Sequence, residues 1–329
     1  MVKPLFGRVA IVGIGLLGSS VARAMRRAHL AGHIVACDRK DVLKAARALK
    51  LADSYTPSAA TAAKGADLVV LATPVGAFGA LAKTFAPQLK PGAIVTDTGS
   101  VKGAVLADVG PHIRKGVHLI PSHPISGTER SGPAAGFAEL FDGRWCILTP
   151  PKGADKRALA ALKTFWERLG SKVDVMDAKH HDLVLAVTSH VPHLIAYNIV
   201  GTADDLRSVT QGEVIKYSAG GFRDFTRIAA SDPTMWRDVF LNNKDAVLEV
   251  LGRFSEDLSA LQRQIRWSDG EALFNLFTRT RAIRKSIIDA GQDSAAVNFG
   301  RTPAATPARK AKVAKKATRK TTKRGQVPR

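Results

Sequence analysis

Cysteine is nearly absent. Cys37 and Cys146 are the only two in 329 residues, each inside an apolar stretch that reads as a buried strand. Two scattered thiols exclude a disulfide framework and a thiolate metal cluster, and they fit a reducing cytoplasm. Long apolar runs are also lacking. Stretches such as Leu68 to Ala72 and Leu183 to Val187 are broken by polar residues well before the roughly 18 needed to span a bilayer, so no membrane partner is expected. The opening residues, Met1-Val2-Lys3-Pro4-Leu5-Phe6-Gly7-Arg8, lack a small-residue cleavage site, and no secretion signal is expected. The C-terminal stretch lacks acids. Eleven Lys and Arg of a chain with net charge +21 lie after Gly300 with no Asp or Glu among them, leaving +10 on the residues before. With almost no large apolar residues, that tail cannot bury enough surface to offset its ordering entropy, and residues 299–329 are expected to be disordered.

What is present is enough apolar material, 45% of the chain, for more than one core. Up to about Asp177 short β-rich runs alternate with helical stretches, the pattern of a parallel sheet covered by helices. Strands are expected at Arg8–Val12, His33–Cys37, Asp67–Leu71, Ala93–Thr96, Val117–Ile120, Trp145–Leu148 and Lys172–Val175, with a helix from about Leu17 to Ala31 closed by Gly32. Beyond Ala178 strand signals stop and amphipathic segments take over, at Asp182–Val200, Pro233–Ile265 and Asp269–Ala290. The fold class is therefore α/β: a Rossmann-type parallel-sheet domain over residues 1–178, an all-α domain over 179–298, and the basic tail.

The first strand runs into Gly13-Ile14-Gly15-Leu16-Leu17-Gly18. Three glycines at this spacing mean little alone, but here they sit between a strand and a helix. Gly13 permits the tight turn, Gly15 lets the backbone approach a pyrophosphate, and Gly18 lets the helix pack on the strand; Leu16 and Leu17 open a helix whose N-terminus favours phosphate. Asp38, twenty residues past Gly18, is placed to accept the adenosine ribose hydroxyls and to repel a 2′-phosphate, which points to NAD; Arg39 and Lys40 soften that preference. A nucleotide-free glycine turn and a flavin nucleotide are the alternatives. Thr73, in Ala72-Thr73-Pro74-Val75, either touches the nicotinamide half or belongs to a proline-stiffened loop start.

Two later strand ends carry polar clusters, Thr96-Asp97-Thr98-Gly99-Ser100-Val101-Lys102 and Pro121-Ser122-His123-Pro124-Ile125-Ser126-Gly127-Thr128. Strand ends of this kind open onto the cofactor crevice. His123 there suits proton withdrawal from a hydroxyl whose carbon loses hydride, since imidazole titrates near working pH, and Ser100 could orient the same hydroxyl. In the helical half, His190 and His193 stand three apart, but Pro192 and the absence of a completing cysteine or carboxylate argue against a metal. Arg223 and Arg227 follow Gly220-Gly221; one of them could clamp a substrate carboxylate, or they are surface arginines, one paired with Asp224.

These motifs together resemble the prephenate dehydrogenases, including the arogenate and dual-specificity cyclohexadienyl enzymes of tyrosine biosynthesis. The likeness rests on the glycine turn through Ser20, Asp97–Lys102, His123–Thr128, Ser189-His190-Val191-Pro192-His193 and Phe222-Arg223-Asp224-Phe225-Thr226-Arg227-Ile228-Ala229, in family order. It implies a C-terminal dimerisation domain, a homodimer, and an active site between the domains. It places Ser100 and His123 on the C4 hydroxyl of prephenate or arogenate, Arg227 on a substrate carboxylate, and His193, Gly220 and Thr128 around the pocket. The implied reaction is oxidative decarboxylation with NAD+. A regulatory domain or fused chorismate mutase, carried by some members, is not expected, because the helical part ends near Ala290, and any feedback by tyrosine is expected to act at the active site. The basic tail has no counterpart in the family pattern. Residues 301–329 would bind polyanions weakly and without sequence preference, and a nucleic-acid-associated protein acting through that tail is the reading from another class.

Overall fold

The computed structural model describes residues 3–128, 130–205, 213, 216, 217 and 220–291; the tail expected to be disordered lies outside these. Six parallel strands form the main sheet: β1 (Phe6–Val12), β2 (Ala31–Cys37), β3 (Ser54–Thr56), β4 (Leu68–Leu71), β5 (Ile94–Asp97) and β6 (His118–Leu119), in the order β3-β2-β1-β4-β5-β6. The chain moves outward from β1 to β3 and then returns to the other side of β1, so the order reverses between β1 and β4. Loops at that reversal leave a crevice at the carboxyl ends of the strands.

Helices α1 (Leu16–Arg27), α2 (Lys40–Ala48), α3 (Ala59–Ala63), α4 (Phe78–Phe85) and α5 (Lys102–Val109) complete this layer. The two-residue side-chain period of β1 divides the core: Val9 and Ile11 pack with Val21 and Met25 on one face, Ala10 and Val12 with Ala62, Phe78 and Phe85 on the other. A second sheet joins β7 (Ser122–Pro124), β8 (Trp145–Leu148) and β9 (Lys172–Val175), with β7 antiparallel to β8 and β9 parallel to it. Helix α6 (Lys156–Arg168), capped by Asp155, brings Leu162, Phe165 and Trp166 to the first core.

Four expectations need correction. Strands β3 and β7 are each three residues long and were not foreseen. Helix α1 ends at Arg27 rather than Ala31, because His29 turns to φ 51° and Leu30 N–H returns to the Met25 carbonyl. Gly32 then lies inside β2, where an added Cβ would stand 2.8 Å from the Gly7 carbonyl oxygen. The segment expected as one helix from Pro233 to Ile265 breaks at Asn243 into α10 (Pro233–Asn242) and α11 (Lys244–Arg266).

Past Val175 no strand follows among the described residues. Helices α7 (Ala178–Leu185) and α8 (Val191–Asp205) are joined by a π turn over Ala186–His190. Pro192 has no N–H for the Thr188 carbonyl and crowds it, which explains the widened turn. The continuous helix Ala178–Asp205 is 28 residues long with a mean hydropathy of 1.5 in its most apolar window, long and apolar enough to cross a membrane by length and composition; the sequence expectation, which looked for unbroken runs, did not foresee this. One side of it is nevertheless bound into the fold, through buried His181, Asp182 and His190. Helix α9 (Gly220–Thr226) follows. The chain divides into two compact units at Glu256/Asp257, inside α11. In the second, α12 (Gly270–Asp289) is capped by Asp269.

The turn between β1 and α1 is held by contacts no side chain could share. Gly13 has φ +95°, and a Cβ on Gly18 would stand 1.9 Å from the Gly13 carbonyl oxygen. Gly18→Ala must therefore push α1 off the turn. The expected cost is about 1–3 kcal/mol, as for other overpacked sites, read as a lower urea midpoint together with weakened NAD+ binding; a variant with unchanged midpoint would refute the contact.

Candidate active site

The glycine turn forms a cradle. Gly13 N–H donates to the Cys37 carbonyl at 2.8 Å, and the Ile14 N–H to Asp38 Oδ2 at 2.8 Å, so the end of β2 is tied to the turn and Asp38 stands at its rim. A Cβ on Gly13 would collide with the Ala72 backbone at 2.5 Å, whereas one on Gly15 would meet nothing within 4 Å. The space at Gly15 is thus open, and it lies at the start of α1, which has no side-chain cap and no acid in its first turn. Free N–H groups, the positive end of a helix and a missing Cβ are what a pyrophosphate needs. Thr73, beside Gly13 at the end of β4, keeps its Oγ1 buried without a partner among the described residues. These residues fit a dinucleotide.

A buried polar network joins the end of β5 to β7. Asp97, at the tip of β5, accepts from the Gly99 N–H at 2.8 Å and the Ser122 N–H at 3.1 Å. Its carboxylate also pairs with the Lys102 ammonium, which donates as well to the Ser122 carbonyl at 2.7 Å. Both side chains are fully buried. Ser122 Oγ bonds the Asp97 carbonyl at 2.5 Å and Thr96 Oγ1 at 2.8 Å. Strand β7, which carries His123, is in this way stapled to the end of β5, which leads to Ser100.

Helix α7 reaches the same point. Asp182 accepts from the Lys102 and Gly103 N–H groups, each at 2.8 Å, closing the N-terminus of α5 with a carboxylate. Asp182 Oδ1 also bonds His181 Nδ1 at 2.8 Å, and His181 Nε2 lies 2.9 Å from His123 Nδ1. Asn243, at the break between α10 and α11, donates through Nδ2 to the Asp182 carbonyl at 2.8 Å and meets His190 Nδ1 at 3.0 Å. His193 donates from Nδ1 to the Ser189 carbonyl at 2.9 Å and stacks on Trp236, with centroids 3.6 Å apart.

These surroundings hold the imidazoles neutral. Burial pushes His123 well below the ordinary 6.5, and the neighbouring His181, Lys102 and His190 push it the same way. Burial lowers His181 against the opposing pull of Asp182, lowers His190 to about 4, and lowers His193, where the charge of Arg227 also contributes. Burial also drives the Asp97 carboxyl up and the Lys102 ammonium down, each opposed by the other's charge.

The predicted site residues fall into two groups. His123 is buried on β7 and connected to the helical half. His193 and Arg227 are close enough to interact electrostatically, while exposed Arg223 pairs with Asp224. Gly220 opens α9, seven residues before Arg227. Ser100 is half-buried between β5 and α5 and makes no hydrogen bond among the described residues. Thr128 is exposed, with its Oγ1 accepting from Arg130 N–H at 3.2 Å, and lines a cavity of about 320 Å³ with Ile125, Ser126, Gly127, Phe137 and Arg144 among others. Among the described residues no hydrogen bond joins Thr128 to the other predicted residues. Sequence reasoning missed His181, Asp182, Asn243 and Trp236. One signal was available: Asp182 is the only carboxylate between Asp177 and Asp204, directly ahead of the apolar run Leu183–Val187.

A glycine turn that fits a dinucleotide, in a chain that also buries a histidine of lowered pKa just past the end of the parallel sheet, marks a nicotinamide-dependent oxidoreductase of the Rossmann class. Residues 21–175 match the family description "prephenate dehydrogenase, nucleotide-binding domain" and residues 177–279 "prephenate dehydrogenase, dimerization domain". The chain is 41% identical to the cyclohexadienyl dehydrogenase of Zymomonas mobilis over 86% of its own length and 97% of that protein's. It is 32% identical to the prephenate dehydrogenase of Bacillus subtilis, covering 85% of this chain and 76% of that one. Among solved structures it is similar to the A. aeolicus prephenate dehydrogenase in complex with hydroxyphenyl propionate and NAD+, with TM-score 0.79, 37% identity, and coverage of 85% and 98%. The chain belongs to the prephenate dehydrogenase family.

The lowered histidines set a pH dependence of stability. Each has a folded pKa below its unfolded value, so as pH falls through 6.5 the unfolded chain takes up protons first and folding loses free energy. For His190 the window runs from 6.5 down to about 4. The melting temperature should drop steadily between about pH 7 and pH 5, ahead of carboxylate titration; a melting temperature constant across that range would contradict the burial of neutral imidazoles.

Proposed function

We propose that the chain converts prephenate to 4-hydroxyphenylpyruvate and CO2 with NAD+ as the hydride acceptor. The observation that carries this reading is the state of His123: buried, neutral, and bonded only through Nδ1, which leaves Nε2 to accept a hydrogen bond. NAD+, when bound in the cradle, supplies the acceptor for the hydride leaving C4. The hydroxyl on C4 donates to His123 Nε2, which polarises the O–H bond and so stabilises the positive charge that develops at that carbon as hydride leaves; Ser100 orients the same hydroxyl. The bond from C1 to its carboxylate then breaks, its electron pair completes the aromatic ring, and the product keeps the phenol proton. The protein's part is to align and to hold one proton, a task of proximity and hydrogen bonding.

Of the two candidate arginines, Arg227 is assigned the substrate carboxylate, because its charge reaches His193 whereas Arg223 is turned to Asp224. A carboxylate bound there would raise the basicity of His193 and gain a second, charge-assisted donor. Gly220 and Thr128 are assigned to the pocket rim. Gly13, Gly15, Leu16, Leu17 and Gly18 hold the pyrophosphate, Thr73 the nicotinamide half, and Asp38 the adenosine ribose, favouring NAD over NADP.

The cyclohexadienyl dehydrogenase relative favours arogenate as a second substrate. We take the domain boundary near residue 178 and the active form as a homodimer. In support, α8 exposes Ile199 and Val200, and α12 exposes Phe274, Phe277, Ile283 and Ile287, apolar surface of the kind subunit interfaces cover. The buried free thiols Cys37 and Cys146 suit the cytoplasm. The relatives lend nothing to the nucleic-acid reading.

NADH formation followed by absorbance, with prephenate and arogenate each offered NAD+ and NADP+, tests the assignment. Prephenate with NAD+ should give the highest kcat/KM. His123→Asn should lose roughly 10²- to 10⁴-fold in kcat, the usual worth of a positioned acid or base, with NAD+ affinity retained; an unimpaired variant would sink the assignment.

A further inference from the structure

The chain of bonds behind His123 has a direction. A carboxylate accepts and cannot donate, so the contact of Asp182 Oδ1 with His181 Nδ1 at 2.8 Å requires the proton on His181 Nδ1. A neutral His181 then presents a bare Nε2. That atom lies 2.9 Å from His123 Nδ1, which must donate to it. His123 in turn presents a bare Nε2, and only this tautomer can accept from a substrate hydroxyl. Asp182 is itself fixed by the Lys102 and Gly103 N–H groups, and its own carbonyl is held by Asn243.

We propose that His181 and Asp182 are positioning residues that set the tautomer and ring orientation of His123, through the relay from Asp182 carboxylate to His181 to His123. This deepens the assignment of His123 and rests on it. The groups facing the relay agree with the neutral form of both rings: Lys102 and Asp97 behind it, His190 beside it, and Asp182 at its end. Without His181, the Nδ1–H of His123 loses its buried acceptor. The ring can then shift its proton to Nε2, which turns the hydroxyl acceptor into a donor. No substrate contact is asked of His181, whose side chain is fully enclosed.

The test uses the full chain. Nitrogen-15 spectra of the wild-type protein labelled on histidine should show His123 with a protonated Nδ1 and a bare Nε2; protonation at Nε2 would overturn the proposal without any variant. In His181→Leu, kcat for prephenate should fall roughly 10- to 100-fold, part of the worth of a positioned base, while prephenate KM and NAD+ affinity stay near wild type. His181→Gln, whose amide oxygen can accept from Nδ1, should restore most of the loss. Unchanged kcat in His181→Leu, or a Gln variant as slow as the Leu variant while equally well folded, would refute the relay. Failure of the relay and of the assignment it rests on are distinguishable: if His123→Asn is slow but His181→Leu is not, only the relay falls, and if His123→Asn is unimpaired, the assignment falls.

Discussion

The ammonium of Lys102 is enclosed by the carboxylate of Asp97 and the carbonyl of Ser122, with no access to water. Withdrawing two charges from solvent is costly, and the cost is recovered only where geometry is good and every remaining polar group is satisfied. Here Asp97 also takes two backbone N–H groups. The pair therefore does more than offset its own burial. It fixes the end of β5 to β7 and so holds the segment leading to Ser100 beside His123. It also keeps a positive charge near that imidazole, which discourages protonation. Removing either partner would leave a lone buried charge, at a cost of about 3–5 kcal/mol.

The helical half joins the same centre through Asp182. One carboxylate closes the N-terminus of α5, meets the charge of the helix dipole, and orients His181. This economy links fold and chemistry: whatever moved α7 away from α5 would uncap a helix and release the imidazole of His123 together. The π turn that follows in α7 and α8 serves the same end, since it brings His190 to Asn243 and leaves the Ser189 carbonyl for His193. A proline that would normally damage a helix here shifts two histidines into place.

The features legible in the sequence were those that depend on neighbours close in the chain. The glycine turn could be read because each glycine answers a local steric demand, and the strand ends at Asp97 and His123 because polar residues there follow apolar runs. Asp38 could be found by its distance from Gly18. The structure disagreed where the signal was short or non-local. Strands β3 and β7 have three residues each, too few for a period. Helix α1 was read too long because Leu30 and Ala31 continue its apolar pattern, although His29 has already left the helix. Asp97 lies only five residues before Lys102 and Asp182 directly follows His181, but the contacts that join Lys102 to Ser122 and Asp182, and His181 to His123, span 20, 80 and 58 residues, and no spacing rule relates such positions.

The central claim is that the reacting hydroxyl sits on His123 Nε2. A crystal structure of the full chain with NAD+ and a 4-hydroxyphenyl product analogue bears on it most directly. The account predicts the phenol oxygen within about 3 Å of His123 Nε2, hydrogen-bond distance, with His123 Nδ1 still on His181 and the ligand carboxylate turned toward Arg227. A phenol oxygen bound elsewhere, with His123 Nε2 facing no ligand atom, would contradict it.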